Sequence, residues 1–347
     1  MFTRRAVSAA LAALALGAAS TSLAQAQQPL KIRMGYVQLP GHLGPILFQD
    51  NPNLRAVMKH YGKSYIVDPI RFRGTTPQIQ AFAAGEIDIG TQSPSSFVLA
   101  VQNARLDAKV VADTFHDNGK THWTSPFYVL KDSGITKIED IKGKRVASNA
   151  IGSASDTAMR RMLNKHGIND KDFNTIETAF GNMPAMLFQK KVDMIVVLPQ
   201  FMRLVDQSKV HSLFTIRDAV GPQQTIMWIA RQEVLTKNRA AMVDFWEDYI
   251  RALRWVLDPK NHDKAIEAVM QFTKQSKDSV DYAFTEGDYY RSPDAVPDVE
   301  GIKRGIEQAV EAGVLKAPLK NFDSYIDLSL IQEAKKRIDG SKASGLQ

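Results

Sequence analysis

Four turns of this chain carry residue types that can hold a small anion without a charged side chain. Gly74-Thr75-Thr76-Pro77, Gln92-Ser93-Pro94-Ser95, Gly152-Ser153-Ala154-Ser155 and Gly181-Asn182-Met183-Pro184 each set hydroxyl or amide side chains just ahead of a predicted helix. The start of a helix offers backbone N–H groups with no intrahelical partner and the positive end of the helix dipole, so an oxyanion is stabilised there. Thr75, Thr76, Gln92, Ser93, Ser153, Ser155 and Asn182 are therefore candidate ligand contacts. The same residue types serve as plain N-caps, and for Thr76, Ser93 and Ser155 both readings stand. His42, in the turn Leu39-Pro40-Gly41-His42-Leu43-Gly44, is either a donor to a bound anion or a surface histidine. Arg73 ends a strand on the face opposite Ile70 and Phe72, reaching either the mouth of a cleft or solvent. Trp123 closes the segment Phe115 to Thr124, where its ring either covers an apolar part of a ligand or packs the loop.

Other chemistries lack their residues. The chain has no cysteine, which excludes disulfides, thiolate catalysis, cysteine-ligated zinc and iron–sulfur clusters. His116, Asp117 and His122 match no zinc spacing, and no Gly-rich phosphate loop, Ser-His-Asp set or paired-carboxylate motif is recognisable. Neither a cofactor nor a metal is expected, and the chain reads as a binder and not an enzyme.

The elements that must position these turns repeat. Thr76 to Gly90 and Met183 to Ile195 each run from a proline through a short amphipathic helix into an apolar-Asp-apolar strand. Asp88 answers Asp193 and Pro94 answers Pro199, both at an offset of 105 residues. Two similar α/β lobes follow, with a cleft between them, where small ligands bind. Alternation continues along the chain, with strands predicted at 30–37, 65–73, 87–90, 109–113, 145–148, 173–177 and 192–197. Helices are predicted at 46–60, 77–84, 94–103, 155–166, 184–189 and 242–257. Ser125 to Leu130 and Gln224 to Ala230 are expected to be strands crossing between the lobes, about which the cleft closes.

Length and charge agree. Arg4 and Arg5, the apolar run Ala6 to Leu16 and the small-x-small site Ala24-Gln25-Ala26 form a signal peptide over 1–26, and no lipid-accepting cysteine accompanies it. The remaining chain of about 320 residues exceeds what one core usually serves. The expected division is 27–124 with 225–347 in one lobe, and 125–224 in the other. The chain is 44% hydrophobic and 23% charged with a formal charge of +7, mildly favouring an anionic ligand. Its basic residues are scattered among acids, which excludes a nucleic-acid stripe.

Three stretches taken together resemble a known family. Pro77-x-x-x-x-Phe82-x-x-Gly85-Glu86-Ile87-Asp88-Ile89-Gly90, then Lys131-Asp132-Ser133-Gly134-Ile135, then Ile138-Glu139-Asp140-Ile141-Lys142-Gly143-Lys144-Arg145-Val146-Ala147 resemble the nitrate/sulfonate/taurine-type solute-binding proteins of ABC transporters. The resemblance covers roughly residues 30 to 255. It implies the α/β, two-lobed periplasmic binding protein fold of type II, each lobe a mixed, mostly parallel sheet covered by helices. It further implies a periplasmic monomer that binds a sulfonate, nitrate or aromatic carboxylate and delivers it to a permease with its ATPase. A pyrimidine precursor of thiamine is the alternative ligand, and a synthase-like enzyme on the same fold the alternative class; its cysteine-rich motif is absent here. The family's Val-Asp-x-x-x-x-Trp-Glu-Pro is also altered, Val192-Asp193 being followed by Val196-Val197-Leu198-Pro199-Gln200 without the Trp-Glu pair.

Overall fold

The computed structural model describes residues 28–343, so the signal segment expected at 1–26 lies outside the described residues. Ten strands are formed among them: β1 Leu30–Tyr36, β2 Tyr65–Arg71, β3 Ile89–Gln92, β4 Ala108–His116, β5 Pro126–Leu130, β6 Arg145–Ser148, β7 Asn174–Glu177, β8 Ile195–Val196, β9 Val210–Thr215 and β10 Gln224–Arg231. The first sheet has the order β2-β1-β3-β10-β4, with β1 parallel to β2 and β3, and β10 antiparallel to β3 and β4. In the second half β8-β5-β9 is antiparallel and β6-β7 parallel, and a parallel bridge between Val146 and Met194 joins the two pieces. The second sheet thus reads β7-β6-β8-β5-β9, the order of the first. The architecture is a mixed-sheet α/β fold of two lobes.

Each lobe has its own core. One apolar cluster draws only on residues between Phe127 and Val220, centred on Val129, Leu163, Met183 and Ile195. Two others lie under the first sheet; the larger joins β1 and β10 to the helix Arg239–Leu257 through Trp228, Trp246 and Tyr249. No helix among the described residues is long and apolar enough to cross a membrane.

The repeated aspartates have a structural explanation. Asp88 Oδ2 accepts from the Arg33 backbone N–H and from its Nε, both at 2.9 Å, while Arg33 Nη2 donates to Oδ1. In the other lobe Asp193 Oδ2 accepts from Arg145 N at 2.8 Å and Nε at 3.1 Å, and Oδ1 accepts from Nη2 at 2.9 Å. In both lobes, then, the carboxylate ahead of the third strand ties down the strand at the start of the unit by a two-pronged guanidinium contact. Asp88 is 9% exposed at its side chain and Asp193 22%. Asp88→Ala should accordingly destabilise the protein by about 2 kcal/mol and Asp193→Ala by about 1 kcal/mol or less, an order that urea unfolding checks.

Local chemistry moves three predicted boundaries. The helix expected at 46–60 is two, Gly44–Leu47 and Pro52–Val57, because Asn51 Oδ1 accepts from Asn53 N at 3.0 Å and Leu54 N at 3.3 Å and restarts the helix at Pro52. The strand expected at 87–90 lies at 89–92, Asp88 being committed to Arg33. The strand expected at 192–197 keeps only Ile195–Val196, since Asp193 N and Met194 N both turn to the Arg145 carbonyl. The segments read as crossing strands are both strands: Ser125 to Leu130 supplies the centre of the β8-β5-β9 sheet, and Gln224 to Ala230 an inner strand of the first. The chain runs from one sheet to the other just before each of them, through 117–125 between β4 and β5 and through 221–223 between the helix Ile216–Val220 and β10.

Candidate functional site

A cavity, partly open to solvent, lies where the strand ends of the two lobes face each other. Val37, Phe115, Phe180, Leu198, Ile216 and Ile226 give it largely apolar walls, and Tyr289 closes one side. Among the described residues no Lys, Arg, Asp or Glu lines it.

The polar groups come from both lobes. From the first come Gln38, His42, Thr75 and Thr225; from the second come Asn149, Ser153, Ser155 and Gln200. His42 is buried, and its Nδ1 lies 2.8 Å from Thr91 Oγ1. Burial, reinforced by the nearby Arg291 guanidinium, pushes the His42 pKa down to about 3, so the ring is neutral and adds no charge to the cavity. The unfolded chain then binds the extra proton between the ordinary value of 6.5 and about 3. Stability present above pH 6.5 is therefore lost as the pH falls through that window, by up to about 1.4 kcal/mol per unit. His42→Asn, which keeps an acceptor or donor toward Thr91, should flatten this slope in melting temperatures measured from pH 7 to 4.

The helix Ala154–Lys165 begins at the cavity wall. Ser153 stands at its N-cap but makes no hydrogen bond to its N–H groups. Instead Ser153 Oγ and Ser155 Oγ both donate to Asn149 Oδ1 at 2.8 Å. Asp156, in the first turn, is buried and matched by Arg160 Nε at 2.8 Å, and it accepts from Gly152 N at 2.9 Å. The helix start thus faces the cavity with N–H groups that no side chain caps.

Two further atoms stand out. Thr75 Oγ1 and Gln200 Nε2 are buried, each in a residue 3% exposed, and neither has a hydrogen-bond partner. They come from opposite lobes. A buried polar group left unpaired is costly, so these two are poised for something the protein alone does not supply.

The structure brings His42, Thr75, Ser153 and Ser155 together at the cavity; the other six candidates lie elsewhere. Ser93 closes a capping box with Ser96 at the start of the helix Pro94–Ala104. Gln92 Nε2 donates to the Thr75 carbonyl at 2.9 Å, positioning that turn from behind. Thr76 and Arg73 bridge the lobes outside the cavity, Thr76 Oγ1 donating to the Ile151 carbonyl at 2.9 Å and Arg73 Nη2 to Glu177 at 3.0 Å. Asn182 is exposed and caps nothing with its side chain. Trp123 is half-buried with Nε1 donating to Ser125 Oγ at 3.2 Å, and it borders a neighbouring hollow with Pro199, Met202 and Tyr282. Of the loop residues around it, Asp117 pairs with Arg217 at 2.9 Å and His116 with Asp113 at 3.2 Å. Among the described residues no group of three or more His, Asp and Glu side chains is arranged to hold a metal ion.

Further contacts close the cleft. Ser95 Oγ donates to the Gly152 carbonyl at 2.9 Å and accepts from Thr157 Oγ1 at 3.1 Å. A Cβ at Gly74 would come within 2.7 Å of the Ala150 Cβ, so glycine is what lets the two turns approach.

Sequence reasoning missed Tyr289, Asn149 and Gln200. Tyr289 stacks on Phe115 with ring centroids 4.3 Å apart, and its hydroxyl lies 2.9 Å from Ser125 Oγ. Its only sequence signal is Asp288-Tyr289-Tyr290-Arg291, an acid-aromatic-base cluster in the non-helical stretch between the helices Lys277–Val280 and Val299–Glu311. Asn149 directly follows a strand end, and Gln200 comes just after Leu198-Pro199, the two positions where the Trp-Glu pair is replaced.

The fold and the interlobe cleft are those of periplasmic-binding-protein architecture. A family model described as NMT1/THI5 like matches residues 68–262, more than half of the sequence, and the chain belongs to that family. No curated protein matches it. Solved structures share the fold. The periplasmic nitrate-binding protein NrtA of Synechocystis PCC 6803 has a TM-score of 0.70 at 14% identity, covering 92% of this chain and 91% of that one. The periplasmic aliphatic sulphonate binding protein SsuA of Escherichia coli gives 0.64 at 18% identity over 88% and 99%. The desulfurization enzyme DSZB gives 0.61 at 12% identity over 89% and 99%.

Proposed function

We propose that this protein is the solute-binding component of an ABC importer, capturing a small organic or inorganic anion of the sulfonate, nitrate or aromatic carboxylate class in the periplasm. It hands that anion to a permease driven by an ATPase. The observation that carries this reading is the interlobe cavity, into which the uncapped helix start at Ala154 opens opposite the Thr75 turn. Helix N–H groups and dipole stabilise an anion without a cationic side chain. The reading places 27–124 with 225–347 in one lobe and 125–224 in the other, exported by a cleaved segment at 1–26, and has the protein act as a monomer that takes one ligand. The names of the solved relatives support it, two of them being periplasmic proteins that bind nitrate and aliphatic sulphonate.

The enzyme reading draws on DSZB, one structure of which is of a cysteine-to-serine mutant with biphenyl-2-sulfinic acid bound. This chain has no cysteine, and among the described residues no ionisable side chain apart from His42 and Tyr289 lines its cavity. A thermal-shift panel of nitrate, taurine, alkanesulfonates, benzoate and a thiamine pyrimidine precursor tests the proposal. A bound ligand at one hundred times its Kd raises stability by about 2.7 kcal/mol. Stabilisation by at least one anion is the expected result; stabilisation by the neutral precursor alone would overturn it.

A further inference from the structure

The cavity walls say more about the ligand than its charge. Nitrate presents oxygen acceptors all round and taurine a sulfonate at one end with an ammonium at the other, so a site for either must set polar partners around nearly the whole molecule. This cavity does not do that. Phe115 and Tyr289 form a stacked pair along one side, His42 meets Phe115 edge-on at 5.7 Å, and Phe180, Leu198 and Ile216 complete apolar walls. Its polar atoms are few. The serine hydroxyl protons at 153 and 155 are already given to Asn149, and of the residues lining the cavity Thr75 and Gln200 carry fully buried side-chain atoms without a partner, Oγ1 and Nε2. Both can donate a hydrogen bond, one from each lobe.

We propose that the ligand is an aromatic carboxylate, its ring held among Phe115, Tyr289 and Phe180, and its carboxylate bound by Thr75 Oγ1, Gln200 Nε2 and the helix start at Ala154. The proposal rests on the receptor reading above and narrows it. Because Thr75 and Gln200 belong to opposite lobes, the carboxylate also bridges the cleft, so recognition and closure are one event. Gln200, just beyond Leu198-Pro199 where the resembling family carries its Trp-Glu pair, thereby determines specificity.

Calorimetric titration of the purified protein with benzoate, nitrate and taurine, together with Thr75→Val and Gln200→Leu, tests this. The wild type should bind benzoate at least about tenfold more tightly than nitrate or taurine, and each substitution should weaken benzoate about tenfold or more, as expected for a lost hydrogen bond to a charged group. Both substitutions remove an unpaired buried polar atom, so the ligand-free melting temperature should hold or rise. A merely structural role predicts the reverse, a lower ligand-free melting temperature with benzoate affinity unchanged, and that result overturns the proposal. Tighter binding of nitrate or taurine than of benzoate would also overturn it while leaving the receptor reading in place. Failure of all three anions to bind, together with none stabilising in the wider panel, would remove both.

Discussion

Arg291→Leu should lower the stability of the protein by about 3–5 kcal/mol, because it strands a buried carboxylate. Arg291 and Asp288 are each 1% exposed at their side chains and pair at 2.8 Å. Arg291 Nη2 also donates to the Gly41 carbonyl at 3.1 Å, and Nη1 to the Tyr289 carbonyl at 3.0 Å. One guanidinium thus fixes both the turn that carries His42 and the tyrosine that closes the cavity, so ligand affinity should fall along with stability. The double variant Arg291→Leu with Asp288→Asn separates the two effects. It removes the stranded charge but keeps an acceptor oxygen for the Phe284 and Tyr289 N–H groups, which Asp288 holds at 3.1 and 2.8 Å, and should recover part of the stability lost by the single variant, but not the affinity, since the Gly41 and Tyr289 anchors remain absent. Urea unfolding and calorimetric titration of the same preparations provide the check. A single variant that unfolds like wild type would show that the pair is not holding this segment.

Asp248→Ala should cost about 4 kcal/mol for a different reason. Asp248 is fully buried and accepts four hydrogen bonds: from Lys59 N at 2.7 Å, and from His60 N, Tyr61 N and the Tyr65 hydroxyl at 2.9 Å each. Removing the carboxylate leaves three backbone N–H groups and a hydroxyl unpaired, each at about 1–3 kcal/mol if they stay dry. No lining residue of the cavity is among these partners, so ligand affinity measured below the new melting temperature should match wild type. Loss of affinity without loss of stability would contradict this assignment.

Much of the scaffold was legible because it is written in short-range chemistry. Proline at the first turn of a helix, a hydroxyl before it and an apolar-Asp-apolar strand after it are signals within a dozen residues, and they located the repeated units. What the aspartates do was not legible, since Arg33 and Arg145 lie 55 and 48 residues upstream and only the parallel pairing of strands brings them together. The site divided in the same way. Ser93 and Ser153 open similar turns, yet Ser93 caps its own helix because Ser96 at the third helical position reciprocates. At the equivalent position after Ser153 stands Asp156, which turns to Gly152 and Arg160 and leaves the helix start uncapped. Tyr289 could not be placed from sequence at all. It reaches the cavity through a segment whose backbone zips onto the edge of β4, His116 N donating to the Tyr290 carbonyl and Asp113 N to that of Ala295.

The ligand is expected to be enclosed between lobes that close upon it. The described structure holds the cleft shut through Arg73–Glu177, Thr76–Ile151 and Ser95–Gly152, and hinge motion about the connections at 117–125 and 221–223 would open it. Small-angle scattering of the purified protein, with and without the most stabilising anion of the panel, measures this directly. A smaller radius of gyration on binding, approaching that of the structure described here, is the predicted result; an unchanged radius alongside calorimetrically confirmed one-to-one binding would contradict it.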